Sequence, residues 1–191
     1  MSQVRRYVQW GCGLFAAAVV ALIVVSILFP ATANRALTPR LSRAQLIADL
    51  GGEQVAAVIG NYDRAEAALV EPPANDKHYE PHEYVVLGKP QPVAAQVAAD
   101  ISHTLLDPNE HSGDSPKSCI PRYGVRLSFF AKADRVDVYF CFECAILEVY
   151  LNDKPAGGLS FELPYRRLIT DVLKIYPDHQ ALRERLANWR L

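Results

Sequence analysis

The sequence predicts an α+β fold: an N-terminal transmembrane helix followed by one domain in which an antiparallel β-meander packs against helices on one face. Three observations support this fold class. Positions 10–29 contain no charged residue. Apolar and polar residues alternate between 125 and 142, as in strands with one buried face. Apolar residues recur at helical spacing on both sides of that stretch, and one soluble domain over 41–191 accommodates all of these elements.

The composition excludes several classes of protein. The 191 residues include 20 basic and 21 acidic ones, so no broad basic surface for nucleic acid is predicted. After position 33 the chain keeps 18 basic and 21 acidic residues, a net charge of −3. The 10 glycines and 13 prolines are scattered through mixed sequence, which fits neither collagen nor general disorder.

Residues 10–29 are predicted to form a transmembrane helix. The run WGCGLFAAAVVALIVVSILF is twenty residues long. At about 1.5 Å per residue, such a helix crosses a hydrocarbon core of roughly 30 Å. We therefore predict a cytoplasmic N-terminus over 1–9, a retained signal anchor over 10–29 and a tether over 30–40. The membrane is then the first predicted partner of the chain.

The orientation of this helix is predicted from the arginines beside it. Arg5 and Arg6 directly precede the apolar run, as in signal sequences, although three further arginines follow it between 35 and 43. We predict a single-pass protein of the cell membrane whose large domain is extracytoplasmic, on the periplasmic side. The alternative is a cleaved signal peptide and a secreted form, because Ala31-Thr32-Ala33 matches the small residues before a cleavage site.

The first half of the soluble part predicts helices around one short strand. Ser42 followed by Gln45 is a capping-box signature for a helix that Gly51-Gly52 interrupts. Residues 53–60 resume helical character, whereas the period leaves 64–70 open between helix and strand. A short strand is predicted over 83–88.

The next stretch predicts another helix and then a loop. Pro92 suits the first turn of this helix. Its apolar stripe consists of Ala94, Val97, Ala98, Ile101 and Leu105. Residues 107–118 are rich in Pro, Asn, Ser, Gly and Asp, and predict a loop.

The central part predicts antiparallel strands. Alternation over 125–129 and 136–142 is typical of two strands joined by a short hairpin connection at 132–134. In this register Ala131 pairs with Arg135, and Arg122 lies opposite Cys144. A third strand is predicted over about 145–151.

After the third strand, Asn152 is expected to begin a turn that closes with Gly157-Gly158. Apolar residues at helical spacing then predict a helix over 165–176. Asp178 is expected to cap a last helix that ends near Trp189.

Three of the four cysteines lie in the soluble part, at positions 119, 141 and 144. In the predicted register, Cys119 and Cys144 fall at the same open end of the hairpin. Cys141 is three residues from Cys144, so all three are expected to converge. The fourth, Cys12, lies inside the apolar run and is expected to pack there.

These cysteines belong to a longer pattern. Cys119-Ile-Pro-Arg-Tyr-Gly-Val-Arg126 is followed by Val136-Asp137 and then by Cys141-Phe-Glu-Cys144, and Val86-Leu87-Gly88 precedes it. The pattern resembles a family of small bacterial exported proteins and lipoproteins of unknown function. Members of that family carry Cys-Phe-x-Pro-Arg-His-Gly-x-Arg and, further on, Cys-Phe-x-Cys.

The resemblance covers roughly residues 60–175. It implies export, a shared cysteine cluster and a strand over 63–70, and it supplies no activity. The chain departs from the pattern twice, with Ile120 in place of Phe and Tyr123 in place of His. If that histidine is a ligand or a base in the relatives, Tyr123 cannot simply replace it.

A disulfide is the first chemical interpretation of the cysteines. Exported domains meet an oxidising compartment, where neighbouring cysteines pair. Cys119 is then expected to bond either Cys141 or Cys144, which leaves one thiol over.

Zinc is the alternative cofactor. Cys-x2-Cys is half of a zinc-ribbon pattern, and His103 or His111 would supply the fourth ligand beside three thiolates. Thioredoxin-type catalysis does not fit, because a strand rather than a helix follows Cys144 and Glu143 places negative charge between the two thiols.

These observations predict a binding or interaction module whose cysteine cluster is structural and which needs no cofactor. The alternative is a metal- or thiol-dependent enzyme centred on the three cysteines. Arg122, Tyr123 and Arg126 are the candidate ligand-binding residues, with the two arginines suited to an anion. The sequence contains no Gly-x-Ser-x-Gly elbow, phosphate-binding glycine loop or His-Glu-x-x-His motif.

Overall fold

A computed structural model describes residues 40–73, 80–113 and 119–189. These residues form a six-stranded antiparallel sheet and five α-helices, so the predicted α+β class with an antiparallel sheet is confirmed. The segments predicted as cytoplasmic N-terminus and transmembrane helix, 1–9 and 10–29, lie outside the described residues. Within the described residues, no helix has the length and apolar character needed to cross a membrane.

The elements follow one another in the chain as helices, strands and two short 3-10 turns. The helices are α1 (Arg43–Leu50), α2 (Glu53–Gly60), α3 (Ala95–Leu106), α4 (Tyr165–Ile175) and α5 (Gln180–Asn188). The strands are β1 (Arg64–Glu71), β2 (Val85–Pro92), β3 (Val125–Ala131), β4 (Asp134–Cys141), β5 (Ile146–Leu151) and β6 (Lys154–Ser160). The 3-10 turns are Pro81–Glu83 and Pro108–Glu110. The strand order across the sheet is β2-β1-β3-β4-β5-β6.

The two ends of α1 are set by its capping residues. The Ser42 side chain accepts a hydrogen bond from the Gln45 amide at 3.2 Å and caps α1. Gly51 ends this helix in the left-handed region, with φ of 110°, which a glycine adopts without steric cost. The interruption predicted at Gly51-Gly52 is therefore confirmed.

The main core lies between the helices and one face of the sheet. Leu127 and Phe129 of β3 and Val138 and Phe140 of β4 are fully buried there. Each of the five helices contributes at least one buried apolar side chain to the same core. The alternation seen in the sequence therefore has a simple cause, because every second residue of a strand faces the helices.

The β3–β4 hairpin differs by one residue from the predicted register. Ala131 pairs with Asp134, not with Arg135, so the turn contains only Lys132 and Ala133. Lys132 has a left-handed φ of 54°, and its amide donates to Asp63 Oδ2 at 2.8 Å. This contact with a residue far away in sequence stabilises the tighter turn, which hairpin patterns alone do not specify.

The predicted turn from Asn152 to Gly157-Gly158 is wrong, because β6 occupies most of it. Asn152 and Asp153 have φ of 51° and 66° and form a two-residue turn of the kind that joins twisted strands. Gly157 lies in β6, where a Cβ atom would stand 2.2 Å from the carbonyl oxygen of Asp49. The glycine thus lets the end of α1 approach the strand backbone.

Two predicted helix starts also need correction. Pro92 ends the edge strand β2, paired with Glu66, and α3 begins at Ala95. An edge strand tolerates proline because its outer side needs no amide donor. The cap of α5 is the side chain of His179, not Asp178, and His179 accepts from the amide of Leu182 at 3.3 Å.

Candidate functional site

The sheet face turned away from the helices carries a second cluster of side chains, which we call the tyrosine face. Its buried members are Ala68, Val70, Tyr123, Tyr139, Cys141, Cys144 and Tyr150. Tyr84, Val86 and Ile146 pack against them. The register explains the grouping, since Tyr139 on β4 lies between Arg126 on β3 and Glu148 on β5. This face combines the cysteines with aromatic and charged groups.

Four tyrosines form a continuous row on this face. The centroids of neighbouring rings lie 5.9, 6.3 and 5.5 Å apart in the order Tyr84, Tyr123, Tyr139 and Tyr150. Each pair meets edge to face, an arrangement that the ring quadrupoles favour. The row includes two strands, β4 and β5, the segment before β3 and the residue before β2, so it ties those two segments to the sheet.

Two of these tyrosines donate hydrogen bonds to carboxylates. The Tyr123 hydroxyl donates to Glu148, and the Tyr150 hydroxyl donates to Glu80 at 3.1 Å. Burial first, and then the hydrogen bond to Glu148, raise the pKa of Tyr123. Burial, followed by the charge of Glu148, raises the pKa of Tyr150. Both phenols therefore stay protonated and act as fixed donors rather than as bases.

A buried polar group lies beside the tyrosines. Asp137 accepts from the Ser128 hydroxyl at 2.5 Å and from Arg135 Nε at 2.9 Å. Both Asp137 and Ser128 are buried, so these bonds offset the loss of hydration. With its partners satisfied within the sheet, Asp137 has the environment of a structural carboxylate.

The structure selects one of the two predicted cysteine pairings. The sulfurs of Cys119 and Cys144 lie at disulfide distance, and the Cα atoms are 6.2 Å apart. The prediction of a cysteine pair is confirmed in this form. Cys141 is outside the pair and fully buried, and its Sγ accepts from the Arg122 amide at 3.2 Å.

The cysteine pair helps to hold a short exposed segment, residues 119–124. Cys119 is bonded at one end, and the Gly124 amide donates to the Phe140 carbonyl at 3.1 Å at the other. Between them Tyr123 is only 4% exposed. Ile120 by contrast is 77% exposed, so a well-anchored backbone presents a large apolar side chain to solvent.

The three predicted ligand-binding residues differ in their surroundings. Arg122 is exposed, whereas Tyr123 is buried in the tyrosine face. Arg126 is partly buried beside Tyr139, and its buried Nε has no acceptor within the described residues. Binding of an anion by the two arginines stays a prediction.

The two histidines proposed as zinc ligands occupy different environments. His103 is exposed on α3. His111 is fully buried, with Nε2 3.0 Å from the Thr104 carbonyl oxygen. Over 40–73, 80–113 and 119–189, no three side chains of His, Cys, Asp or Glu are grouped so that they could hold a metal ion. A zinc site stays a prediction.

His111 is expected to make the stability of the domain depend on pH. Burial lowers its pKa below the ordinary 6.5, which the hydrogen bond to Thr104 offsets only in part. The unfolded chain therefore binds the proton more readily, so the unfolding free energy should fall as the pH drops through about 6.5. Urea unfolding at a series of pH values measures this slope.

His111→Gln should flatten the slope in that pH window, whereas His103→Gln, at an exposed position, should leave it unchanged. The readout is the slope and not the absolute stability, so a general weakening by the substitution does not obscure the result. An unchanged slope in His111→Gln would show that other groups cause the pH dependence.

Much of the tyrosine face was not predicted as a site. From the sequence, Tyr139 is interpreted as a residue that packs within the sheet, and no motif surrounds Glu80, Glu148 or Tyr150. The available signal was the polar half of the apolar–polar alternation, since Arg126, Asp137 and Tyr139 point away from the apolar core.

Comparisons with protein-family models, curated proteins and solved structures find no match for this chain.

Proposed function

We propose that the chain is a protein-interaction module, anchored by residues 10–29 and displayed on the extracytoplasmic side of the membrane. Residues 119–124 form its contact with a partner. The observation that carries this proposal is the 77% exposure of Ile120 on a segment held by a cysteine pair and a buried tyrosine.

The extracytoplasmic location has support that does not depend on the apolar run. Cys119 and Cys144 lie at disulfide distance, and disulfides persist in oxidising compartments but are rare in the cytosol. The apolar, uncharged run at 10–29 supplies the anchor by its length. Both observations favour an exported domain.

The chemistry of the 119–124 segment defines the kind of partner. Ile120 offers an apolar anchor, and the exposed Arg122 offers a positive charge two residues later. Because the backbone is already held in place, binding costs less conformational entropy than it would for a free loop. The matching partner is a protein with an apolar pocket bordered by a carboxylate.

Photo-crosslinking in intact cells tests this contact. An apolar benzophenone side chain is placed at position 120 of the full chain and, as the matched control, at the exposed Ala133 in the β3–β4 turn. We expect one discrete protein adduct from position 120 and none from 133. Adding Arg122→Glu should reduce the adduct about tenfold, since repulsion at a charged contact costs on the order of 1.4 kcal/mol or more.

Equal adducts from positions 120 and 133, or no adduct at either, would contradict a specific contact. An adduct that is insensitive to Arg122→Glu would contradict the acidic partner. As a control on location, alkaline phosphatase fused after Leu191 should be active in the same cells. An inactive fusion would overturn the extracytoplasmic placement independently of the contact.

A thiol-dependent activity is the second candidate. It is favoured by the free thiol of Cys141, which lies beside the cysteine pair and accepts a hydrogen bond from the Arg122 amide.

A further inference from the structure

We propose that the three cysteines form an internal disulfide-exchange site, in which Cys119 bonds either Cys144 or Cys141. This goes beyond the interaction module and does not depend on it. Cys141 is a buried free thiol, and it belongs to the same contact cluster as Cys144.

The turn between β4 and β5 brings Cys141 and Cys144 to the same face. Cys141 is the last residue of β4 and pairs with Ile146, so the loop between the strands contains only residues 142–145. Both cysteine side chains pack in the tyrosine face and not in the helix-covered core. One sulfur at the end of β4 and one on the loop that follows therefore lie in the same cluster.

The 119–124 segment crosses this loop close to both sulfurs. Cys144 lies at bonding distance from Cys119, and the Cys141 sulfur is 3.2 Å from the Arg122 amide nitrogen. Arg122 is three residues beyond Cys119, within one short stretch of extended chain. Three residues of chain span at most about 10 Å, so the change of partner requires the exposed Cys119 end of the segment to move by no more than roughly this distance while Arg122 stays in place.

The exchange needs no external oxidant or reductant. The Cys141 thiolate attacks the Cys119 sulfur and forms a Cys119–Cys141 bond, while the Cys119–Cys144 bond breaks and Cys144 leaves as a thiolate. Cys144 then takes up a proton from solvent, which balances the proton that Cys141 released. The Arg122 amide donates a hydrogen bond to the attacking sulfur, and such a bond is stronger when the acceptor is an anion.

Chain entropy hardly discriminates between the two bridges. The bridge to Cys144 spans a sequence separation of 25 residues, and the bridge to Cys141 is three residues shorter. Loop-closure entropy changes only logarithmically with length, so the two bridges restrict the unfolded chain almost equally. Local packing on the tyrosine face then decides which bridge predominates, and a partner that contacts residues 119–124 would bias the choice.

Peptide mapping of single variants tests the exchange. The full chain is purified from an oxidising compartment, quenched in acid, unfolded in denaturant so that the buried Cys141 is accessible, alkylated at free thiols and digested without reductant. In Cys144→Ser we expect peptides linked through Cys119 and Cys141. In the matched Cys141→Ser variant we expect the Cys119–Cys144 link. In Cys119→Ser both remaining thiols should be alkylated.

The wild-type chain provides a measurement that does not depend on any variant folding. Directly quenched protein should contain mainly the Cys119–Cys144 link. After incubation at about pH 8.5, where thiolates are more abundant, the Cys119–Cys141 link should become detectable. Its absence there, or an alkylated Cys119 in a folded Cys144→Ser variant, would overturn the exchange. A Cys141–Cys144 link in Cys119→Ser would overturn the role of Cys119 as common partner.

Discussion

Replacing Cys119 by serine is expected to lower the free energy of unfolding by about 3 kcal/mol when no reductant is present. The bond to Cys144 closes a sequence separation of 25 residues, and its loss returns that much conformational freedom to the unfolded chain. Urea unfolding of wild type and Cys119→Ser measures the difference. In reductant the wild type loses the same cross-link, so the two curves should coincide.

Cys141→Ser serves as the matched control for this experiment. It removes a cysteine that is outside the pair, so its unfolding should respond to reductant as the wild type does. A loss in Cys119→Ser that persists in reductant would contradict the cross-link as the cause. Packing would then have to explain the effect, although Cys119 is exposed.

Replacing Gly157 by alanine is expected to destabilise the domain by about 3 kcal/mol, at the upper end of the usual cost of overpacking. A Cβ atom at this position would lie 2.2 Å from the Asp49 carbonyl oxygen and 2.7 Å from the Gly51 amide nitrogen. Backbone atoms cannot rotate away as a flexible side chain does, so α1 and β6 must separate. Thermal or urea unfolding measures the loss.

Gly113→Ala is the control for a glycine-to-alanine change without a clash. A Cβ atom at Gly113 meets no atom of the described residues within 4 Å, so stability should change by no more than about 0.5 kcal/mol. If Gly157→Ala unfolded like the wild type, close packing of α1 on β6 would be wrong.

The strands of the central hairpin and the helical segments were predictable because their patterns reflect burial. Phe129 and Val138 face the helices, while Asp137 and Tyr139 face the opposite side. The sequence shows this as an alternation of apolar and polar residues with a period of two. The end of α1 was equally predictable, because its C-cap adopts a left-handed backbone that glycine accepts and most other residues avoid.

The sequence by itself therefore determined the helical segments, the central strands, the antiparallel class and the pairing of Cys119 with one of Cys141 and Cys144. Only the tertiary structure decided the hairpin register, through the bond from the Lys132 amide to Asp63. It also decided that Gly157 lies in a strand, because α1 packs against it, and that Cys119 pairs with Cys144. Each of these choices depends on contacts between residues far apart in the chain, whereas local patterns report only burial and backbone preference.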